Sequence, residues 1–382
     1  MEQQSANKTI LFLPFLQIPS GHHQVAKALM DGIQKNQPYI KCEKVDILSY
    51  SFGKVEALVS NTYLKWIHAF PGLYSRVYRS SVYKNVDEKK RFRLYEILFL
   101  RYMRKLLSEK KPDVIVCTHG LPSYMLNYLK EKKEISVPVI NVYTDYFIHS
   151  VWGIQHIDYH FVPTNHMKDF LQQKGLKEGQ IFLTGIPIHH KINKQADHSK
   201  PVAAFSPLSI LITGGNLGVG AINDLVKKIG TNKSFHFYVL CGTNQALYQM
   251  ITNLQKNNIT PIGYIESREK MNELYDKMDA IVTKPGGVTI SECLFKRKLI
   301  FIYHALPGQE EINVQMLEKS GLIFQLKQWK NDNQSLEDQL YPFFQSNTLL
   351  ESYQDRINEY HHNIIEKIPS QIIEELLYAR NL

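Results

Sequence analysis

The residues best equipped for chemistry run from Lys284 to Glu292, in the order Lys-Pro-Gly-Gly-Val-Thr-Ile-Ser-Glu. Paired glycines after an apolar run let backbone N–H groups approach a ligand that a Cβ would fend off. A helix starting there adds free N–H groups and a positive dipole end for an anion. Glu292, one helical turn further in, would repel phosphate but suits the paired hydroxyls of a ribose, so the stretch reads as a nucleotide site. Thr289 and Glu292 are also spaced as a capping box, in which the acid only satisfies the start of its own helix. A second group stands near the start of the chain, where Ser20-Gly21-His22-His23 precedes a helical pattern from Gln24 to Ile33. The positive end of a helix disfavours a protonated imidazole, which keeps either His22 or His23 available as a base toward an alcohol; either ring could instead serve its own loop. No carboxylate stands at helical spacing from the pair, so a metal site is not expected.

Alternating strands and helices are expected to hold these groups. Apolar runs at Ile10 to Phe15, Val114 to Cys117 and Val139 to Val142 are each followed by a turn and a helical pattern, which is parallel α/β grammar. Their carboxyl ends are polar, at Ser20 to His23, Thr118-His119 and Thr144-Asp145, and ligands bind at such ends in open α/β sheets. A polar stretch from Asn193 to Pro207 reads as a linker, after which the alternation restarts at Leu208 to Thr213. Further strands are expected at Phe235 to Leu240, Ala280 to Thr283 and Leu299 to Tyr303, with a helix over Lys270 to Lys277 and a helical tail from Gln354 broken at Pro369. The turn Thr213-Gly214-Gly215-Asn216-Leu217-Gly218-Val219-Gly220 is glycine-rich, but its spacing is not GxGxxG. The next strand ends at Cys241-Gly242 without an acid for a ribose, so a nicotinamide dinucleotide is disfavoured and a nucleoside diphosphate fits better.

At 382 residues the chain has room for two domains, and 44% hydrophobic with 21% charged residues is ordinary for a folded protein. Four scattered cysteines indicate neither a disulfide framework nor a zinc site. The apolar run from Ile10 to Ile18 has the length of a signal-peptide core, yet Pro14 and Gln17 interrupt it and Glu2 spoils the positive flank. The net charge of +9 is concentrated between Lys54 and Lys111, where 14 Lys or Arg face 5 Asp or Glu. Aromatics interleave these charges, a composition that suits an anionic membrane surface better than nucleic acid. A solvated face is the competing reading, with Tyr95, Leu98, Phe99 and Tyr102 at helical spacing as core.

These motifs together resemble the two-domain glycosyltransferases of the GT-B fold. The likeness is to the family that holds the peptidoglycan N-acetylglucosaminyltransferase, plant monogalactosyldiacylglycerol synthases and bacterial diacylglycerol glucosyltransferases. Ser20 to Leu29 is similar to the family's N-terminal loop and helix, in which the histidine after glycine is the base. Val142 to Asp145, with His149 and Trp152 following, is similar to its acceptor-side segment, and Thr184 to Ile188 to the stretch before its interdomain linker. Lys284 to Glu292 and Pro307 to Asn313 resemble its donor-binding elements. Two positions depart from the pattern: Pro19 replaces a usual glycine, and Leu217 stands where several members carry a polar side chain.

The resemblance implies an α/β GT-B enzyme whose two Rossmann-like domains face an interdomain cleft. Residues 1–195 would bind acceptor and carry a membrane-facing segment at 54–111, residues 196–365 would bind a UDP-sugar, and 366–382 would form a helix returning to the first domain. His22 and Asp145 would be catalytic, with Gly21, His23, His119, His149 and Trp152 on the acceptor side. Gly214, Gly215, Asn216, Gly218, Ile265, Gly286, Gly287, Val288, Thr289, Glu292, Gln309 and Glu310 would bind the donor. The implied reaction is an inverting hexosyl transfer from a UDP-sugar to a lipid alcohol such as diacylglycerol, with no cofactor, metal or nucleic acid, at the inner face of the cell membrane. A UDP-sugar epimerase and a non-enzymatic UDP-sugar sensor are the alternatives on this fold.

Overall fold

The computed structural model describes residues 8–15, 20–53, 91–195, 207–214, 221–327, 329–330 and 333–379. Most of the basic aromatic stretch (54–90), the linker residues 196–206, Pro19 and Gly215 to Gly220 lie outside the described residues. Two compact units divide the chain, Met1–His190 with Pro307–Gln309 and Asn363–Leu382, and Lys191–Leu306 with Glu310–His362.

In the first unit the strands β1 (Thr9–Leu13), β2 (Lys41–Lys44), β3 (Val114–Cys117), β4 (Val139–Val142), β5 (Tyr159–Val162) and β6 (Ile181–Leu183) form one sheet in the order β2-β1-β3-β4-β5-β6. All neighbours are parallel, so β1, β3 and β4 are covered on both faces and read as largely apolar runs, with buried Asn141 the polar exception in β4. In the second unit β7 (Leu208–Thr213), β8 (Phe235–Gly242), β9 (Ile259–Gly263), β10 (Ala280–Thr283), β11 (Leu299–Ile302) and β12 (Phe324–Gln325) take the order β12-β11-β10-β7-β8-β9, again parallel. Strand order reverses between β1 and β3 in one sheet and between β7 and β10 in the other, and ligands bind beyond the carboxyl ends of strands at such points.

The helix Gly21–Asn36 leaves β1 at the first reversal point and buries Val25, Ala26, Leu29 and Ile33, the i, i+3, i+4 pattern of one face. The last helix, Pro369–Tyr378, packs against it at Gly32, where an added Cβ would lie 2.8 Å from Ser370 Oγ. The helical tail breaks where expected: one helix ends at Asn363, and Pro369 starts the next in its first turn, where the missing N–H costs nothing. The helix Arg93–Lys110 corrects an expectation. It buries Glu96, Phe99, Leu100, Met103 and Leu106, while Tyr95 and Leu98 are exposed rather than core. Leu94, Ile97 and Leu98 thus form a second apolar stripe, on the outside, and Ile97 is 76% exposed. Among the described residues no helix is long and apolar enough to cross a membrane.

Candidate functional site

His22 is the second residue of its helix, and its ring turns toward the carboxyl ends of β3 and β4. Its Nδ1 lies 2.8 Å from the carbonyl oxygen of Thr118 and 2.8 Å from Thr144 Oγ1. A carbonyl oxygen can only accept, so Nδ1 must carry the hydrogen and the neutral ring keeps its lone pair on Nε2. Burial lowers the pKa of His22, with the charge of half-buried Asp145 and the Thr118 hydrogen bond acting in the opposite direction and His23 adding to the lowering. The effect anticipated from the helix dipole is therefore produced mainly by desolvation. Gly21 opens the helix and His23 follows His22 within it.

Two further histidines stand beside this one. His119 caps the helix Gly120–Glu131, its Nδ1 accepting the Leu121 N–H at 3.1 Å, and its ring meets His22 edge to face at 4.8 Å. In His149, Nδ1 accepts the Val151 N–H at 3.3 Å. Both neutral rings therefore carry their hydrogen on Nε2 and are donors there, unlike His22. Burial and neighbouring imidazoles hold His119 well below the usual range, and His149 is pushed down to about 3. Gly120 allows this arrangement, because a Cβ there would lie 2.8 Å from His149 Cε1. Trp152 is buried, 4.6 Å from the Tyr143 ring, and serves as packing beneath the histidines. Phe15 stacks on His119 at 4.9 Å and completes the apolar wall.

In the second unit the helix Gly287–Phe295 starts directly after β10, with Gly286 as its uncapped N-terminal flank. Thr289 is therefore the third helical residue and Glu292 the sixth, nearly two turns in, and the capping-box reading fails. Gly286 has an ordinary φ of −72°, and an added Cβ would meet nothing within 4 Å. Neither backbone conformation nor packing within the chain calls for glycine there, which leaves room for a ligand as the reason. Val288 is buried and Thr289 half-buried in the first turn. Asn313, itself buried, donates to the Pro285 carbonyl at 3.2 Å and fastens the turn to the helix Gln309–Lys319. Gln309 opens that helix, and Glu310 turns back to accept the Leu306 N–H at 2.6 Å, an occupation that sequence did not suggest.

Glu292 is not free. It is 5% exposed, accepts from Tyr275 Oη at 2.9 Å and lies 3.5 Å from Arg268 Nη1. Burial raises its pKa, against Arg268 and Tyr275, so the ion pair and hydrogen bond only partly compensate desolvation. A carboxylate has about four acceptor positions, so two partners leave capacity for a ribose. Beyond β9 lies an open pocket of about 570 Å³, more than a nucleobase fills, lined by Gly263, Tyr264, Ile265, Glu266, Ser267 and Lys270 among others. Gly214 directly follows β7, whereas Gly215, Asn216 and Gly218 lie outside the described residues. No group of three His, Cys, Asp or Glu side chains converges to hold a metal among the described residues. Thr118, Thr144, Tyr275, Arg268 and Asn313 acquire positions at these sites that sequence alone did not assign. Thr118 and Thr144 carried a signal as polar strand ends and Asn313 as the end of a motif, whereas Tyr275 and Arg268 carried none.

Two parallel doubly wound domains of this topology define the GT-B class. Solved structures agree at the level of fold: Acinetobacter baumannii MurG matches with a TM-score of 0.61 at 14% identity, covering 97% of this chain and 99% of that one. A Staphylococcus aureus MnaA–UDP structure matches with a TM-score of 0.55 at 13% identity, over 98% and 97%. The profile of monogalactosyldiacylglycerol (MGDG) synthase matches residues 22–188, and that of the glycosyltransferase family 28 C-terminal domain matches residues 209–368. An uncharacterized glycosyltransferase, YkoN of Bacillus subtilis, is 41% identical over 98% of both chains. A processive diacylglycerol beta-glucosyltransferase of Bacillus cereus is 31% identical over 79% of this chain and 78% of its own. The chain belongs to glycosyltransferase family 28, in its MGDG-synthase-like branch, and is a hexosyltransferase. Transfer, rather than the epimerase or sensor alternatives, is what this membership supports.

Proposed function

We propose that the protein moves a hexose from a UDP-sugar to the hydroxyl of a lipid, with diacylglycerol as the acceptor, by a single inverting displacement. The observation that carries this reading is the state of His22, whose Nδ1–H is held by Thr118 while Nε2 keeps a lone pair for the acceptor proton. The acceptor oxygen then attacks the anomeric carbon from the face opposite UDP, and the carbon–oxygen bond to the diphosphate breaks with its electron pair leaving on UDP. Negative charge grows on the terminal phosphate, where the N–H groups after Gly286 and the helix dipole offset it. The chemistry so written uses no metal or other cofactor. Glu292 would take the ribose, and the cavity at Ile265 the uracil. Asp145 favours the imidazolium that forms on His22.

Support for a lipid acceptor comes from the relative named as acting on diacylglycerol and from the outer stripe of Leu94, Ile97 and Leu98. Arg101 continues the stripe at helical spacing, with Arg93 at its start, and such a basic apolar face suits the headgroups of an anionic membrane. On this reading the enzyme works as a peripheral protein at the cytoplasmic face of the membrane. Incubation with labelled UDP-glucose, UDP-galactose and UDP-N-acetylglucosamine beside diacylglycerol vesicles tests the proposal. A labelled glycolipid of inverted anomeric configuration is the expected product. Retained configuration, or label appearing only in free sugar, would overturn it.

A further inference from the structure

We infer that Thr144 is a positioning residue for His22, holding the ring in one tautomer and one orientation through its hydroxyl. The inference rests on the reading of His22 as the base and adds to it the group that keeps it in place. Thr144 is 5% exposed and its Oγ1 lies 2.8 Å from Nδ1, the same distance as the Thr118 carbonyl oxygen. Oγ1 also approaches that carbonyl at 3.5 Å, so the hydroxyl hydrogen has an acceptor and a lone pair remains directed at Nδ1–H. The Nδ1–H is thereby shared between two oxygens. The opposite tautomer would set a nitrogen lone pair against a carbonyl lone pair at 2.8 Å, which is repulsive.

The consequence is kinetic. When Nε2 takes the acceptor proton the ring becomes a cation, and hydrogen bonds to a charged donor are stronger than to a neutral one. Thr144 and Thr118 therefore stabilise the imidazolium more than the imidazole, the service that a buried aspartate performs in a hydrolase triad. Two neutral oxygens do this at the cost of less stabilisation, which keeps the base from being protonated before substrate arrives. The charged or titratable groups around His22 are Asp145, which favours its cation, His23, which disfavours it, and His119 and His149, whose own cations are disfavoured beside His22.

Thr144→Val keeps the shape and deletes the hydroxyl, and Thr144→Ser restores it. Loss of one hydrogen bond to a charged group predicts a roughly tenfold fall in kcat/KM for the valine variant. Its acid limb should move to lower pH, because the cation has lost a partner. The donor KM should stay unchanged, and the serine variant should recover most of the rate. In nitrogen NMR of the imidazole, the His22 Nδ1 proton should exchange with water faster in the valine variant than in wild type. An unmoved acid limb with an unaltered Nδ1 proton in the valine variant would overturn the role, as would equal impairment of valine and serine variants that melt like wild type. Full turnover in His22→Ala would instead remove the base reading, and the Nδ1 proton would still judge the Thr144 contact by itself.

Discussion

Both sheets are parallel and each reverses strand order once, after two strands in the first unit and after three in the second, yet they furnish the reversal point with opposite materials. In the first unit the space beyond β1, β3 and β4 is filled by rings, with His22, His119, His149, Phe15 and Trp152 locked by backbone hydrogen bonds and mutual packing. In the second, among the described residues, β10 is followed by Gly286, where an added Cβ would meet nothing within 4 Å, and by a helix start with no side-chain cap. On the proposed function a base must be oriented before its substrate arrives, which suits a prebuilt shell. A leaving group must come and go, so its cradle is backbone around a gap. Glu292 stands between these cases, buried and partnered but with acceptor capacity to spare.

The contrast can be broken at several points, beginning with the largest effect. His22→Ala should reduce kcat by roughly 10²–10⁴-fold, the usual contribution of general base catalysis, while UDP binding measured by calorimetry stays as in wild type. Weakened UDP binding would mean that the prebuilt shell also holds the donor. Gly286→Val comes next: since a Cβ there meets nothing within the chain, the variant should melt at the wild-type temperature. Its donor KM should nevertheless rise by about tenfold or more, the outcome of a side chain entering ligand space. A wild-type KM would deprive the open cradle of its meaning.

Acid should separate the units by stability. His149 and His160 are buried and neutral, each pushed down to about 3 in the folded protein, whereas an unfolded histidine titrates near 6.5. The unfolded state then binds more protons below about pH 6.5, so their contribution is complete above that value and declines as pH falls toward 3. Hydrogen exchange at pH 5 should show β4 and β5 opening more readily than at pH 7; equal protection at both pH values would contradict the assignment. The smallest effect belongs to the outer stripe. Ile97→Glu should weaken binding to anionic vesicles severalfold, and added salt should weaken it further in the parent protein by screening, without changing UDP affinity. Vesicle binding insensitive to both would assign the stripe another use.

Much of this architecture was legible because buried parallel strands announce themselves. The runs Val114 to Cys117, Val139 to Val142, Leu208 to Thr213 and Ala280 to Thr283 coincide with β3, β4, β7 and β10, since strands covered on both faces are rich in apolar residues. Strands near the sheet edges were not legible. β2 is Lys-Cys-Glu-Lys and β9 contains Pro261 and Gly263, compositions that only an exposed or half-paired strand tolerates. The outer stripe of the helix Arg93–Lys110 misled for a related reason, because two apolar stripes on one helix look like a single broad core face.

Sequence alone determined the two repeats of α/β grammar, the glycine turn before Glu292 and a histidine at the mouth of a helix, because each is a local pattern of neighbouring residues. Only tertiary structure decided which nitrogen of His22 is engaged by Thr118 and Thr144 and which keeps its lone pair, and that Arg268 and Tyr275 already occupy Glu292. Thr118 and Thr144 stand 96 and 122 positions from His22. Such partners meet because parallel strands deliver distant segments to one edge of a sheet, and a hydrogen bond formed there leaves no periodicity along the chain to announce it.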